Sequence, residues 1–111
     1  MTAEQFYKIL QSTGHPVAYH HFLAPQRQTP YICYLYTDSD DLMADDINYQ
    51  AVRAVHVEYY VRDKDFYGEQ ALEQLFAQNG LTYKKADGYL EGEQLYMTTY
   101  DMQLIVTGVT G

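Results

Sequence analysis

The sequence predicts an α+β domain in the order α-β-β-β-α-β-β: a mainly antiparallel sheet with two helices packed on one face, and a long β-hairpin. Three observations carry this. Two segments repeat apolar residues at helical spacing, and two others alternate apolar and polar side chains over a length that strands sustain. Gly, Pro and Asp residues that punctuate a chain fall between them. With 111 residues and a hydrophobic fraction of 47%, the chain is long enough for one core and too short for two, so residues 1–111 form a single expected domain.

Each element has its own warrant. Residues 3–13 place Ala3, Phe6, Ile9, Leu10 and Thr13 on one helical face, and Gly14 with Pro16 supplies a stop. "VAYHHF" (17–22) is short and β-prone, and the polar "APQRQTP" after it reads as a loop. "YICYLYT" (31–37) is rich in aromatic and branched residues and is expected to be a strand covered on both faces.

Residues 49–63 set Val55, Val57, Tyr59 and Val61 against Ala54, His56, Glu58, Tyr60 and Arg62, the period-two pattern of a half-buried strand. The two strands would pair as a long hairpin with an unusually large tip. Asp63 or Asp65 can cap the second helix, where Leu72, Leu75 and Phe76 share a face with Gly68 and Ala71, and "QNG" ends it at Gly80. "LTYKKADGYLEG" bends at Asp87-Gly88 or beyond, and the last strand puts Tyr96, Tyr100, Met102, Leu104 and Val106 opposite Thr99, Asp101 and Gln103.

Charge narrows the function. Fifteen Asp plus Glu against seven Lys plus Arg give a formal net charge of -8. That opposes sequence-independent binding to duplex DNA and to anionic membranes, while a negative wall lets DNA slide past without sticking. Lys84-Lys85 is the only basic pair, too small for a nucleic-acid surface.

The lone Cys33, in an apolar run, reads as a buried inert thiol and cannot make an internal disulfide or a Cys-based zinc site. The first residues lack signal-peptide character, so a cytosolic, reducing setting is expected. Thirteen Tyr and no Trp suit half-buried sheet positions and subunit interfaces alike.

"YTDSDDLMADDINYQ" (36–50) is the densest cluster of chemical groups. A calcium loop of the EF-hand type needs Gly at its sixth position and Glu at its twelfth. Starting at Asp38 those positions hold Met43 and Tyr49, and starting at Asp41 they hold Asp46 and Val52. Carboxylates that repel one another are tolerable where water screens them, which favours an exposed hairpin tip. Leu42 and Met43 lack an evident partner within such a tip, and a partner surface would supply one.

The expected interface is therefore Asp40, Asp41, Leu42, Met43, Asp45 and Asp46. His20 and His21 would point to opposite faces of a strand and so chelate poorly together. His56 reads as a surface or interface histidine. With no nucleophile motif and no glycine-rich phosphate loop, the expectation is a protein without catalytic, cofactor-binding or metal residues.

The runs "PVAYHHF", "PYICYLYTDSDDLMADDINYQ", "VEYYVRDKDF", "LEQLFAQNGLTYKK" and "YMTTYDMQL" resemble the tail terminator, or tail-to-head joining (tail completion), proteins of tailed phages and prophages of Gram-positive bacteria. The resemblance spans nearly the whole chain. It implies an α+β fold of this order, assembly into a hexameric ring, no catalysis, and a structural role in the virion: capping the tail tube and joining tail to head. The implied partners are further copies of the chain, the tail tube and head-tail connector proteins, and DNA passing through the lumen without specific binding, with no membrane partner. Two other classes stay open: a small monomeric protein-binding module using the acidic tip, and a metal-dependent hydrolase using His20 or His21 with Asp residues.

Overall fold

Two helices lie on one face of a five-stranded, mostly antiparallel sheet, as the sequence predicts. The computed structural model describes residues 1–22, 28–37 and 51–106. The elements run α1 (Ala3–Gln11), β1 (Val17–Tyr19), β2 (Tyr31–Tyr36), β3 (Ala51–Val61), α2 (Phe66–Gln78), β4 (Tyr83–Leu90) and β5 (Leu95–Val106). The sheet order is β1-β2-β3-β5-β4, with β1 parallel to β2 and all other pairs antiparallel.

Helix α1 starts at a capping box. The Thr2 hydroxyl accepts the Gln5 N–H at 3.0 Å, and the Gln5 side chain accepts the Thr2 N–H at 2.8 Å. The helix ends at Gln11, two residues before the boundary the spacing predicts. The Ser12 and Thr13 hydroxyls donate to the carbonyls of Ile9 and Leu10, and Gly14 turns the chain in the left-handed region at φ 83. Helix α2 is capped by Asp65, whose carboxylate accepts the Gly68 N–H at 3.0 Å, and it stops before Gly80.

Strand β3 is the central beam of the sheet. Val55, Val57, Tyr59 and Val61 are all buried on the helix side, and their partners Met102, Tyr100, Thr98 and Tyr96 on β5 face the same way. Phe6 and Leu10 of α1, Ile32 and Tyr34 of β2, and Leu72 and Phe76 of α2 complete one core. Phe76 and Tyr100 meet edge to face at 5.4 Å, and Phe6 and Tyr34 at 5.9 Å.

Strand β2 departs from full cover on both faces: Cys33 is buried on the side away from the helices, whereas Tyr31 and Leu35 are only half-buried there. Strand β4 runs through Asp87-Gly88 to Leu90, so the turn falls in residues 91–94, beyond that dipeptide.

Candidate assembly surfaces

The predicted interface residues Asp40, Asp41, Leu42, Met43, Asp45 and Asp46 lie outside the described residues. Their place in the chain is nevertheless bounded: β2 ends at Tyr36 and β3 begins at Ala51, and the Thr37 N–H bonds the Ala54 carbonyl at 2.9 Å. The hairpin connection thus leaves from the end of the sheet where Val52 pairs with Ile105. These two apolar residues stand side by side on the face away from the helices, 50% and 54% exposed.

The opposite end of β3 and β5 carries a different surface. Phe66 and Tyr67, in the first turn of α2, are 71% and 85% exposed. The Lys64 ammonium lies 5.6 Å from the Phe66 ring centre and 5.9 Å from that of Tyr96, and the Tyr96 and Tyr89 rings are 4.8 Å apart. Phe66, Tyr67 and Tyr89 are exposed and Tyr96 is half-buried; aromatic residues are enriched at protein interfaces. Val61 marks this end and Val52 the other, so about 30 Å of strand separates the two surfaces.

Between them, on the sheet face away from the helices, runs a chain of polar groups. His56 Nδ1 lies 2.7 Å from Asp101 Oδ1, its cross-strand partner, and Nε2 lies 3.2 Å from Glu58 Oε2. The Tyr60 hydroxyl donates to Glu58 Oε1 at 2.9 Å, and burial together with that bond pushes the phenol far above its ordinary range. Both imidazole nitrogens thus face carboxylate oxygens. Cys33 pairs with Glu58 across the strands, and burial, reinforced by that carboxylate, pushes its thiol up to about 11. A thiol held protonated is a poor nucleophile.

On the helix side, Glu69 is only 2% exposed. Its Oε1 lies 3.0 Å from Lys85 Nζ, and Oε2 faces Lys64 at 2.9 Å as an ion pair by distance without an aligned hydrogen bond. Lys85 also meets Glu73 at 2.7 Å, Glu73 accepts the Tyr100 hydroxyl at 2.8 Å, and Lys64 reaches Asp87 at 3.0 Å. Lys84 and Lys85 are therefore not a basic pair in space: they point to opposite faces of β4, and Lys85 is locked under α2.

His20 and His21 also differ from expectation. His20 sits past the end of β1 with φ 68, and the turn brings the two rings together with Nδ1 atoms 2.8 Å apart. Both are exposed, and among the described residues no three His, Cys, Asp or Glu side chains converge to hold a metal ion.

Sequence reasoning missed the aromatic end, although the signal was present. Counting back from Leu72 and Phe76 at helical spacing lands on Gly68 and Glu69, which leaves Phe66 and Tyr67 off the buried stripe. No protein-family model matches the chain, and no curated protein matches it. Among the described residues no helix is long and apolar enough to cross a membrane.

Proposed function

We propose that the chain is a ring-forming structural protein of the tail terminator class, which caps a phage or prophage tail tube and helps join tail to head. The observation that carries this reading is the pair of unlike exposed apolar surfaces at opposite ends of β3 and β5: Phe66, Tyr67 and Tyr89 at one end, Val52 and Ile105 at the other. Two unlike patches on one chain suit a heterologous contact, in which one copy's patch meets the other patch of the next copy and the rotation closes a ring. On this reading Leu42 and Met43, in the connection that leaves the Val52 end, belong to the same contact.

The net charge of -8 suits a channel through which DNA slides without sticking. The partners are then the five other copies of a six-membered ring, the tail tube and the head-tail connector, and the setting is the host cytoplasm during assembly and the virion afterwards. The role needs no catalysis.

A mixing experiment tests the head-to-tail contact. Variant one carries Leu42→Asp and Met43→Asp; variant two carries Phe66→Asp and Tyr67→Asp. Each alone is expected to stay monomeric. Mixed, they retain one intact pair of complementary surfaces and are expected to form a dimer that cannot close. Ring formation by either variant alone would remove the proposal.

A second reading, a small monomeric binding module using the acidic tip, calls for a concave pocket, and a cavity lies beside Tyr59 between the helices. Such a module would bind its ligand as a monomer, which the ring does not require.

A further inference from the structure

Helix α2 ends in "QNG". Gly80, at φ 70, takes the left-handed position that closes a helix: its N–H donates to the Ala77 carbonyl at 3.1 Å, and the Leu81 N–H donates to that of Phe76 at 2.9 Å. Leu81 and Phe76 both belong to the buried core, which anchors the closure from inside. Asn79, the cap residue before Gly80, is exposed, and its Nδ2 donates to the Leu75 carbonyl at 2.9 Å.

An asparagine followed by glycine carries its own chemistry. The glycine nitrogen can attack the asparagine Cγ, because no Cβ on the glycine hinders it. An N–Cγ bond forms, the Cγ–Nδ2 bond breaks, and Nδ2 leaves as ammonia with the proton from the glycine nitrogen. Water then opens the cyclic imide at either carbonyl, leaving aspartate or, with the backbone rerouted through Cβ, isoaspartate. Water is the only co-reactant, and Asn79 is exposed to it. The other asparagine, Asn48, precedes Tyr49, whose side chain hinders the same attack.

The cap opposes this reaction at three points. At ψ 13 the Gly80 nitrogen nearly eclipses the Asn79 nitrogen, whereas the five-membered ring requires it to eclipse Cβ. Its hydrogen is held by Ala77, and the departing Nδ2 by Leu75. Ring closure therefore needs both bonds broken and the peptide turned, a local opening of the last turn of α2.

We propose that Asn79 is a self-modification site, deamidated through attack by the Gly80 nitrogen at a rate set by opening of the α2 cap. The product does not restore the cap: a carboxylate has no hydrogen to donate to the Leu75 carbonyl, and negative charge is unfavourable at the C-terminal end of a helix. Each event thus loosens the end of α2. The site lies at the far end of α2 from Phe66 and Tyr67 and does not rest on the assembly reading.

The test incubates the full chain at mildly alkaline pH, folded and in guanidinium chloride, and follows the replacement of side-chain NH2 by OH with peptide mapping and mass spectrometry. Conversion is expected at Asn79 ahead of Asn48, and about tenfold or more slowly in the folded chain, the worth of breaking one hydrogen bond. Hydrogen exchange of the Gly80 amide reads the same opening. Leu81→Ala, which removes the anchor and keeps the Asn-Gly pair, should speed exchange and deamidation together. Asn79→Asp, which supplies one product directly, should lower the urea midpoint. Equal rates in the folded and unfolded wild-type chain, or conversion at Asn48 before Asn79, would overturn the proposal.

Discussion

The Tyr59 hydroxyl occupies the space that a Cβ on Gly68 would need. Helix α2 seats against β3 because its third residue has no side chain there, and the Asp65 carboxylate that caps the helix fills the rest of that space, its Oδ2 2.5 Å from the same position. Gly68→Ala gains up to about 1 kcal/mol of helix propensity. Overpacking costs about 1–3 kcal/mol, so the net change is expected to be destabilising. In a Tyr59→Phe background part of the clash is gone, and the same substitution should cost less. Urea midpoints of the four proteins read this directly; strictly additive effects would contradict it.

The Glu69–Lys85 contact makes a second prediction. Removing one partner of a buried pair costs most where it leaves a charge uncompensated, about 3 kcal/mol, and less where a second partner remains. Lys85→Met leaves Glu69 with Lys64 alone and Glu73 without its cation, and should lower the denaturation midpoint by a corresponding amount. Adding Glu69→Leu to that variant should recover part of the stability, because the buried carboxylate held by a single cation is then gone. A double variant less stable than the single one would contradict this.

The tyrosines predict the response to alkali. Burial pushes Tyr34 and Tyr59 up to about 12, and burial with the bond to Glu73 pushes Tyr100 well beyond its ordinary range. Lys85 is raised as well, chiefly by its bond to Glu73. Groups whose folded pKa is raised contribute stability that is complete below the unfolded value, about 10 for a phenol, and is lost as pH climbs through the folded values. Stability should therefore fall between about pH 10 and 12. With thirteen Tyr and no Trp, absorbance at the phenolate band reports this cleanly, as the buried tyrosines ionise with unfolding.

Acid acts on a different group with the opposite sign. The bond from Lys64 holds the Asp87 carboxyl below its ordinary value, helped by the Thr98 hydroxyl. A depressed carboxyl contributes stability above its unfolded pKa and loses it as pH falls through the folded one. Asp87 is more than half exposed, so solvent screens the pair and Asp87→Asn should flatten the acid side of the stability curve only slightly.

On the proposed ring assembly, Phe66 and Tyr67 should separate folding from association. Acidic residues in the first turn of a helix interact favourably with its dipole. Phe66→Asp with Tyr67→Asp should thus leave the monomer within about 0.5 kcal/mol of the wild type, while chain association is weakened. Loss of the fold would show that the two rings serve the monomer.

The sheet and both helices were legible because their patterns are long. Val55 to Val61 and Tyr100 to Leu104 alternate without a break, and Leu72 with Phe76 marks the inner side of α2. The pairing of His56 with Asp101 was not legible, because it depends on strand register across residues far apart in sequence. Glu69 was legible and passed over: a carboxylate on an apolar stripe signals a buried partner, and Lys85, at inward parity on β4 with Tyr83, is that partner. The approach of His20 to His21 was hidden because strand alternation stops at Tyr19, where the backbone turns left-handed.

Ring assembly is tested most directly by sedimentation velocity of the wild-type chain over a wide concentration range, alone and with tail tube protein. Assembly predicts a closed six-copy species, alone or once the tube protein is present. A single monomer boundary at every concentration, with no binding to the tube protein, would contradict it.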